Sequence, residues 1–324
     1  MLKYIILFSL FKVSANLHAQ EALSVVWYNV ENAFDTIDDP ITHDEEYLPD
    51  SEKEWVSWKY WTKLNRISKV LRSSSGMQPP DVIAVCEIEN ADVLYQLVHR
   101  PALRAVDYRV IHYESPDFRG IDVGLAYNPA TIQFFASRQI RVPIDTIDGR
   151  TTRDILLASA TWNGDTLHFF VNHWPSRRGG QAVSSIKRIT AARTLMSQID
   201  SLEMKYSSPK IIVVGDFNDG PADESIELLR SSGLHIEMTD WSPNQGTHRH
   251  AGRWEYLDQW IWSQALDTGT TQVDTSYIYM NGGMIEESPR YPGIQPRRSW
   301  RGNRFTGGYS DHLPIVLRIT QDGS

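Results

Sequence analysis

Short apolar runs that stop on polar side chains punctuate this chain, and they constrain its fold more than any other feature. LSVVWYNV (23–30), DVIAVCEI (81–88), IDVGLAYN (121–128), TIQFFASRQI (131–140), ILLASATW (155–162), TLHFFVNHW (166–174), KIIVVGDF (210–217), YLDQWIW (256–262) and LPIVLRIT (313–320) all have strand length. Several are apolar at consecutive positions, so both faces of such a strand must be covered. Helical periodicity separates some of them, over roughly Trp58–Ser73, Ala91–His99, Ser184–Met204 and Asp223–Ser231. The third is clearest, with Ile186, Ile189, Ala192, Leu195 and Ile199 at three- and four-residue steps. Pro221 is well placed to open the fourth. Strands outnumber helices and often follow one another closely, which predicts mixed sheets rather than one doubly wound parallel sheet. Residues 38–54 and 284–304 read as long loops, a feature that is often functional. No Pro/Ser-rich linker divides the chain, so residues 20–324 are expected to form one domain.

Residues 1–19, MLKYIILFSLFKVSANLHA, place Lys3 before an apolar run and end on small and polar residues. That is the plan of a secretory signal peptide cut after Ala19. The run is far shorter than the ~20 residues a membrane span needs. The expected location is therefore secreted or periplasmic, with no membrane span. The lone Cys86 excludes an internal disulfide, and its setting in VIAVC reads as core. Formal charge is −8, and losing Lys3 and Lys12 with the leader brings the mature chain near −10. A protein that grips nucleic acid through its whole-surface field should be basic. The arginines are clustered, however. Arg290, Arg297, Arg298, Arg301 and Arg304 precede the terminal SDH, and Arg177 and Arg178 form a second group with Lys187 and Arg188. Local positive charge on an acidic body suits a site that receives phosphate.

The polar ends of the runs carry the chemistry. VVWYNVEN ends on Asn29 and Asn32, and VIAVCEIEN on Glu87 and Glu89. HFFVNHWP ends on Asn172 and His173, and IIVVGDFND on Asp216, Asn218 and Asp219. Asp258 lies in YLDQWIW, and Asp311-His312 open the last strand. Six such endings are more than turn chemistry explains. If they converge, they form an oxygen-rich pocket without Cys, suited to a hard cation: Mg²⁺, Mn²⁺ or Ca²⁺. Asp258 sits inside an aromatic strand, where an unpaired acid is costly, so a partner is expected nearby. Strand period alone leaves Glu87 and Glu89 equivalent.

The ordered set WYNVEN, CEIE, RGIDVGLAY, NHW, GDFND, LDQ and GYSDHLP resembles the endonuclease/exonuclease/phosphatase family, to which pancreatic deoxyribonuclease belongs. The likeness spans about Leu23 to Ile319. It implies a four-layered α/β sandwich: two mixed β-sheets face to face, helices outside, and the site at one rim. It also implies metal-dependent phosphoester hydrolysis. It favours Glu87 as metal ligand, with Asn29 and Asp311 assisting. Asp216 would orient or deprotonate water, and Asn218 would donate to a phosphate oxygen. His312 would bind the scissile phosphate, held by Asp258. His173 would protonate the leaving oxygen or steady the transition state, with Asp122 or Glu114 as its partner. Asn172, Arg119, Arg177 and Arg178 would contact substrate. Asp219 would cap the helix after Pro221, and Gly307-Gly308 would let the loop approach phosphate. His248 and His250 in THRHAG read as loop residues. A nuclease or broad phosphodiesterase is the expected activity. A phosphomonoesterase, or a phospholipase C- or sphingomyelinase-like esterase, is the alternative, and a catalytically dead binding protein a further one.

Overall fold

The chain is described by a computed structural model over residues 22–144, 151–177, 180–237 and 244–321. The expected signal peptide and Arg178 lie outside the described residues. The strands are β1 (Ala22–Ala33), β2 (Val82–Ile88), β3 (Arg109–His112), β4 (Asp122–Tyr127), β5 (Gln133–Ile140), β6 (Ile155–Trp162), β7 (Asp165–His173), β8 (Lys210–Asp216), β9 (His235–Ile236), β10 (His248–His250), β11 (Arg253–Glu255), β12 (Asp258–Trp262), β13 (Thr271–Ile278), β14 (Ile285–Glu287), β15 (Ile294–Pro296), β16 (Trp300–Arg301), β17 (Arg304–Phe305) and β18 (Ile315–Gln321). The helices are α1 (Ser57–Ser74), α2 (Ala91–Val98), α3 (Gln181–Lys205), α4 (Glu224–Ser231) and the single turn α5 (Ala265–Thr268). Every apolar run named above is a strand, and every helical period a helix.

Two six-stranded sheets organise these elements, in the orders β13-β18-β1-β2-β4-β3 and β5-β6-β7-β8-β12-β9. Each has one parallel pair at its centre, β1 with β2 and β7 with β8, and antiparallel neighbours on both sides. A parallel pair needs a long crossover, and the two longest helices, α1 and α3, supply it.

Alternation along the strands builds three apolar interfaces. Leu23, Val25 and Trp27 of β1 meet Ile212 and Val214 of β8 between the sheets. Val26, Tyr28 and Val30 turn the other way, onto Leu64, Ile67 and Leu71 of α1. Ile211 and Val213 of β8 pack on Leu195 of α3 and Ile226 and Leu229 of α4. The result is helix, sheet, sheet, helix: the four-layered sandwich. Burying a large aliphatic side chain yields about 1.5–3 kcal/mol, so strands with two covered faces must be apolar throughout.

The structure departs from expectation in places. Ile186 is 67% exposed rather than on the buried face of α3. At about 1.5 Å per residue, a 25-residue helix outruns the strands it covers, and its first turns overhang the core. Residues 284–304 are not a bare loop: β14–β15 and β16–β17 are hairpins, and Met284 and Trp300 enter the core. Asp219 does not cap α4. It accepts from Ser225 Oγ at 2.6 Å and pairs with Arg188 at 2.7 Å, tying α4 to α3.

Candidate active site

The carboxyl ends of both parallel pairs open onto one rim, the usual place for a site in sheets with parallel strands. β1 delivers Asn29, β2 Glu87, β7 His173 and β8 Asp216. Asp258 opens β12 directly opposite Asp216, and His312 bridges to His248 just before β18. Side chains up to 283 residues apart in sequence thus meet.

Contacts fix their arrangement. Asn29 Nδ2 donates to Asp216 Oδ2 at 3.0 Å and to Glu87 Oε1 at 3.2 Å. Its Oδ1 accepts from the Glu31 N–H at 3.0 Å, which fixes the amide's orientation. Glu87 Oε2 accepts from the Asn32 N–H at 2.9 Å, and Asp216 Oδ1 from the Asn218 N–H at 3.0 Å. His312 Nδ1 lies 2.6 Å from Asp258 Oδ2, while Trp27 Nε1 donates to Asp258 Oδ1 at 2.7 Å. The buried Asp258 therefore has the partner its setting required, and a second in Trp27. His312 Nε2 then faces Asp216 Oδ2 at 3.7 Å.

Backbone strain gathers here. Glu31, Asn32, Glu87 and Asn218 all take positive φ, between 52° and 60°, a costly region for residues with a Cβ. At Glu87 a bulge between Cys86 and Ile88 breaks the register with β4. The bulge separates the two glutamates that strand period could not. Glu87 turns into the site, whereas Glu89 accepts from the Asp35 N–H at 2.6 Å and burial pushes its pKa to about 8.

Electrostatics divide the titratable groups. Burial pushes Asp216 up to about 6, against the pull of His312. Burial would lower His312, but Asp258 and Asp216 outweigh it and hold the imidazole well above its ordinary value. Burial, then Arg153 and Arg119, hold His173 well below its ordinary value, so it is a neutral imidazole. Its Nε2 lies 3.8 Å from both Glu87 Oε1 and Asp216 Oδ2.

Several expected roles change. Asn29 offers an NH₂ to two carboxylates rather than an oxygen to a metal. Asp311 Oδ2 is occupied by Arg298 at 2.9 Å. Asn218 spends its Nδ2 on the Trp174 carbonyl at 3.0 Å, holding the turn. Asn172 is fully buried and bonded to Phe170, Val214 and Trp174, so it supports the strands and faces no ligand. Arg177 is clamped by the Asn218 carbonyl, Glu255 and Asp223 at 2.8–3.1 Å. Arg119 does reach the rim, with one guanidinium nitrogen 3.4 Å from Asn32 Oδ1. Asp122 and Glu114 pair with His112, not His173. A Cβ on Gly308 would lie 2.0 Å from the Arg298 carbonyl, so that glycine serves backbone packing.

Other residues at the site had no clear signal in the sequence. His248 belongs to the β10–β11 hairpin rather than a loop, with its ring 4.8 Å from that of His312 and Nδ1 3.2 Å from Glu255. Glu31 accepts from Arg298 Nε at 3.1 Å and from the Ser299 N–H, while the buried Lys63 donates to Ser299 Oγ at 2.7 Å. This network moors the segment leading to Asp311-His312 onto β1 and α1.

Glu87 Oε1 and Asp216 Oδ2 converge on one amide nitrogen and one imidazole, with the Asp216 carboxyl destabilised by burial. An oxygen-rich seat of this kind fits a hard divalent cation completed by water and substrate phosphate. Fold and rim together place the chain among metal-dependent hydrolases of phosphate esters. It belongs to the endonuclease/exonuclease/phosphatase family, whose sequence profile matches residues 24–321. Similar solved structures include TDP2 from D. rerio complexed with single strand DNA product (18% identity, 92% of this chain and 98% of that chain, TM-score 0.60). Others are the human Nocturnin catalytic domain with bound sulfate (16%, 93% and 95%, 0.57) and a Bacteroides thetaiotaomicron mannosyl-6-phosphatase (15%, 92% and 99%, 0.59). No curated protein matches the sequence.

Proposed function

We propose that the protein cleaves a small phosphate ester by direct attack of water, outside the cytoplasm, using Mg²⁺ or Mn²⁺. The observation that carries the hydrolytic reading is the row Asp258, His312, Asp216 set against Glu87 and Asn29. Glu87 would hold the cation beside Asp216, and when bound the cation draws charge from a phosphoryl oxygen. Asn29 bridges the two carboxylates by donating to both. Asp216, ionised above about pH 6, takes a proton from the attacking water. His312, held as a cation by Asp258, faces the developing charge through Nε2–H and returns a proton to the leaving oxygen. The neutral His173 donates one N–H and is no acid, so the acid role expected of it passes to His312. The products are a phosphate group and an alcohol.

Charge at the rim supports a small substrate. Arg177, Arg298 and Arg301 are each paired with carboxylates, which leaves them little to offer a polyanion. A depression of about 230 Å³ beside the site is lined by Arg119 and Lys187, and by Arg153 with its partner Asp117 at 3.2 Å. A larger cavity of about 450 Å³, near Arg177 and Trp254, is lined by none of Glu87, Asp216, Asp258 or His312. The nuclease reading keeps one observation in its favour: Arg290 and Arg304 are exposed on the 284–304 segment.

The test is a panel of p-nitrophenyl phosphate, bis-p-nitrophenyl phosphate, sugar phosphates, RNA and plasmid DNA, with Mg²⁺, Mn²⁺ or EDTA and varied salt. Turnover of the small esters with a log-rate against log-salt slope below about 1 is expected. Preferential cutting of DNA or RNA with a steep slope would establish the nuclease instead. For export, N-terminal sequencing of protein recovered outside the cytoplasm should begin at Gln20.

A further inference from the structure

A second set of ligating side chains lies at the edge of the first sheet, unused by the hydrolytic site. His112 ends β3, Asp122 begins the neighbouring β4, and Glu114 follows His112 on the connection between them. The His112 and Asp122 side chains are 3% and 1% exposed. His112 Nε2 and Asp122 Oδ2 face each other at 3.2 Å, yet neither has a hydrogen-bond partner among the described residues. Two buried polar atoms thus lie close without a proton aimed along the line between them. Glu114 Oε1 stands 3.6 Å from His112 Nδ1, and one ligating atom from each of the three residues falls within 4.8 Å of the others.

The His112–Asp122 spacing matches that of two ligands sharing one ion, and the exposed Glu114, beside the other ring nitrogen, would swing toward them to join. Atoms bound side by side at ~2.0–2.1 Å from a common centre stand about 3.0–3.4 Å apart. Local charge also calls for a cation. Among the described residues, the buried Asp154 nearby has both oxygens without a hydrogen-bond partner and Arg141, at 3.1 Å, as its counter-ion. Burial pushes its pKa to about 6, and Asp122 adds to the rise.

We propose that His112, Asp122 and Glu114 bind a late first-row divalent ion, Zn²⁺ being the ordinary case, with water completing its shell. A buried imidazole nitrogen among the donors favours zinc over magnesium. The ion would staple the two ends of the 113–121 connection, whose Ser115 N–H already bonds Asp122 Oδ1 at 2.9 Å. That connection carries Arg119 to the rim, so the ion holds a wall of the hydrolytic site without entering its chemistry.

Full-length mature protein stripped with chelator and dialysed against Zn²⁺ in millimolar Mg²⁺ is expected to retain one zinc per chain and to melt several degrees higher. His112→Ala, Asp122→Asn and the more exposed Glu114→Gln should each weaken zinc binding by at least ~10-fold. Wild-type crystals soaked in Zn²⁺ give a check that no variant's folding can spoil: an anomalous peak among these three side chains. Zinc found only at Glu87 and Asp216, or no peak between His112 and Asp122, overturns the proposal.

Discussion

The two strand–helix–strand halves bring comparable groups to one rim by different means. In β7–α3–β8 the pairing runs unbroken from Leu167–Lys210 to His173–Asp216, and Asp216 arrives on regular backbone with its side chain 3% exposed. In β1–α1–β2 the register breaks after Asn29, and Glu87 arrives on a bulge with φ 60° and 16% side-chain exposure. A regular, closed strand delivers a carboxylate whose proton affinity its surroundings can set. A bulged, opened strand delivers one that can meet a hydrated ion. The bulge costs about 1–3 kcal/mol of local strain, offset by the cores on both faces of the sheet.

Substitutions test whether the halves divide the work this way. The largest effects belong to the regular half and its partners: Asp216→Ala or His312→Ala, folded by circular dichroism, should lose at least ~10² in kcat. Near-normal turnover in both would remove the proton-handling role. Glu87→Gln should lose a similar factor at low Mg²⁺ but recover part of it as Mg²⁺ is raised, whereas Asp216→Ala should not. Equal rescue of the two would erase the distinction. In the pH profile, kcat should fall about tenfold per unit on the acid side, because Asp216 must be ionised to act as base; burial sets its metal-free value at about 6, and the neighbouring cation moves the fall lower. A profile with no acid limb at any pH where the protein stays folded would count against it.

Stability should move the opposite way. Asp216's folded pKa of about 6 lies above its ordinary 3.8, so the unfolded chain ionises first. Its contribution is harmless at low pH and becomes a penalty as pH rises from about 4 to 6. Metal-free Asp216→Asn should therefore melt about 2–4 °C higher at pH 7.5, read by calorimetry. A lower melting point would mean that pairing with His312 outweighs burial. The smallest effect is expected at Asn32→Gly in the bulged half. It keeps the N–H that holds Glu87 and relieves φ 55°, so kcat should stay within about threefold.

Much of the sandwich was legible because continuous apolar strands allow few packings. β13 was not: its sequence TQVDTSYI is half exposed at a sheet edge and interrupted by a bulge, so its alternation is blurred. At the site, residue type at strand ends pointed to Asp216, Asp258 and His312, while choosing Glu87 over Glu89 took the family resemblance. Orientation was not legible. Whether Asn29 presents oxygen or nitrogen depends on the Glu31 N–H, and whether Arg177 is free depends on acids up to 78 residues away. His248 was read as a loop residue and Lys63 was passed over, because only tertiary folding sets one beside His312 and buries the other.

The Trp27 indole has its ring in the layer between the sheets and its N–H on Asp258. It ties the geometry of the chemistry to the spacing of the two halves, so a slip of one sheet over the other would reach the imidazole through a single donated proton. Tampering with packing well away from the rim can therefore detune turnover while leaving every reacting group in place.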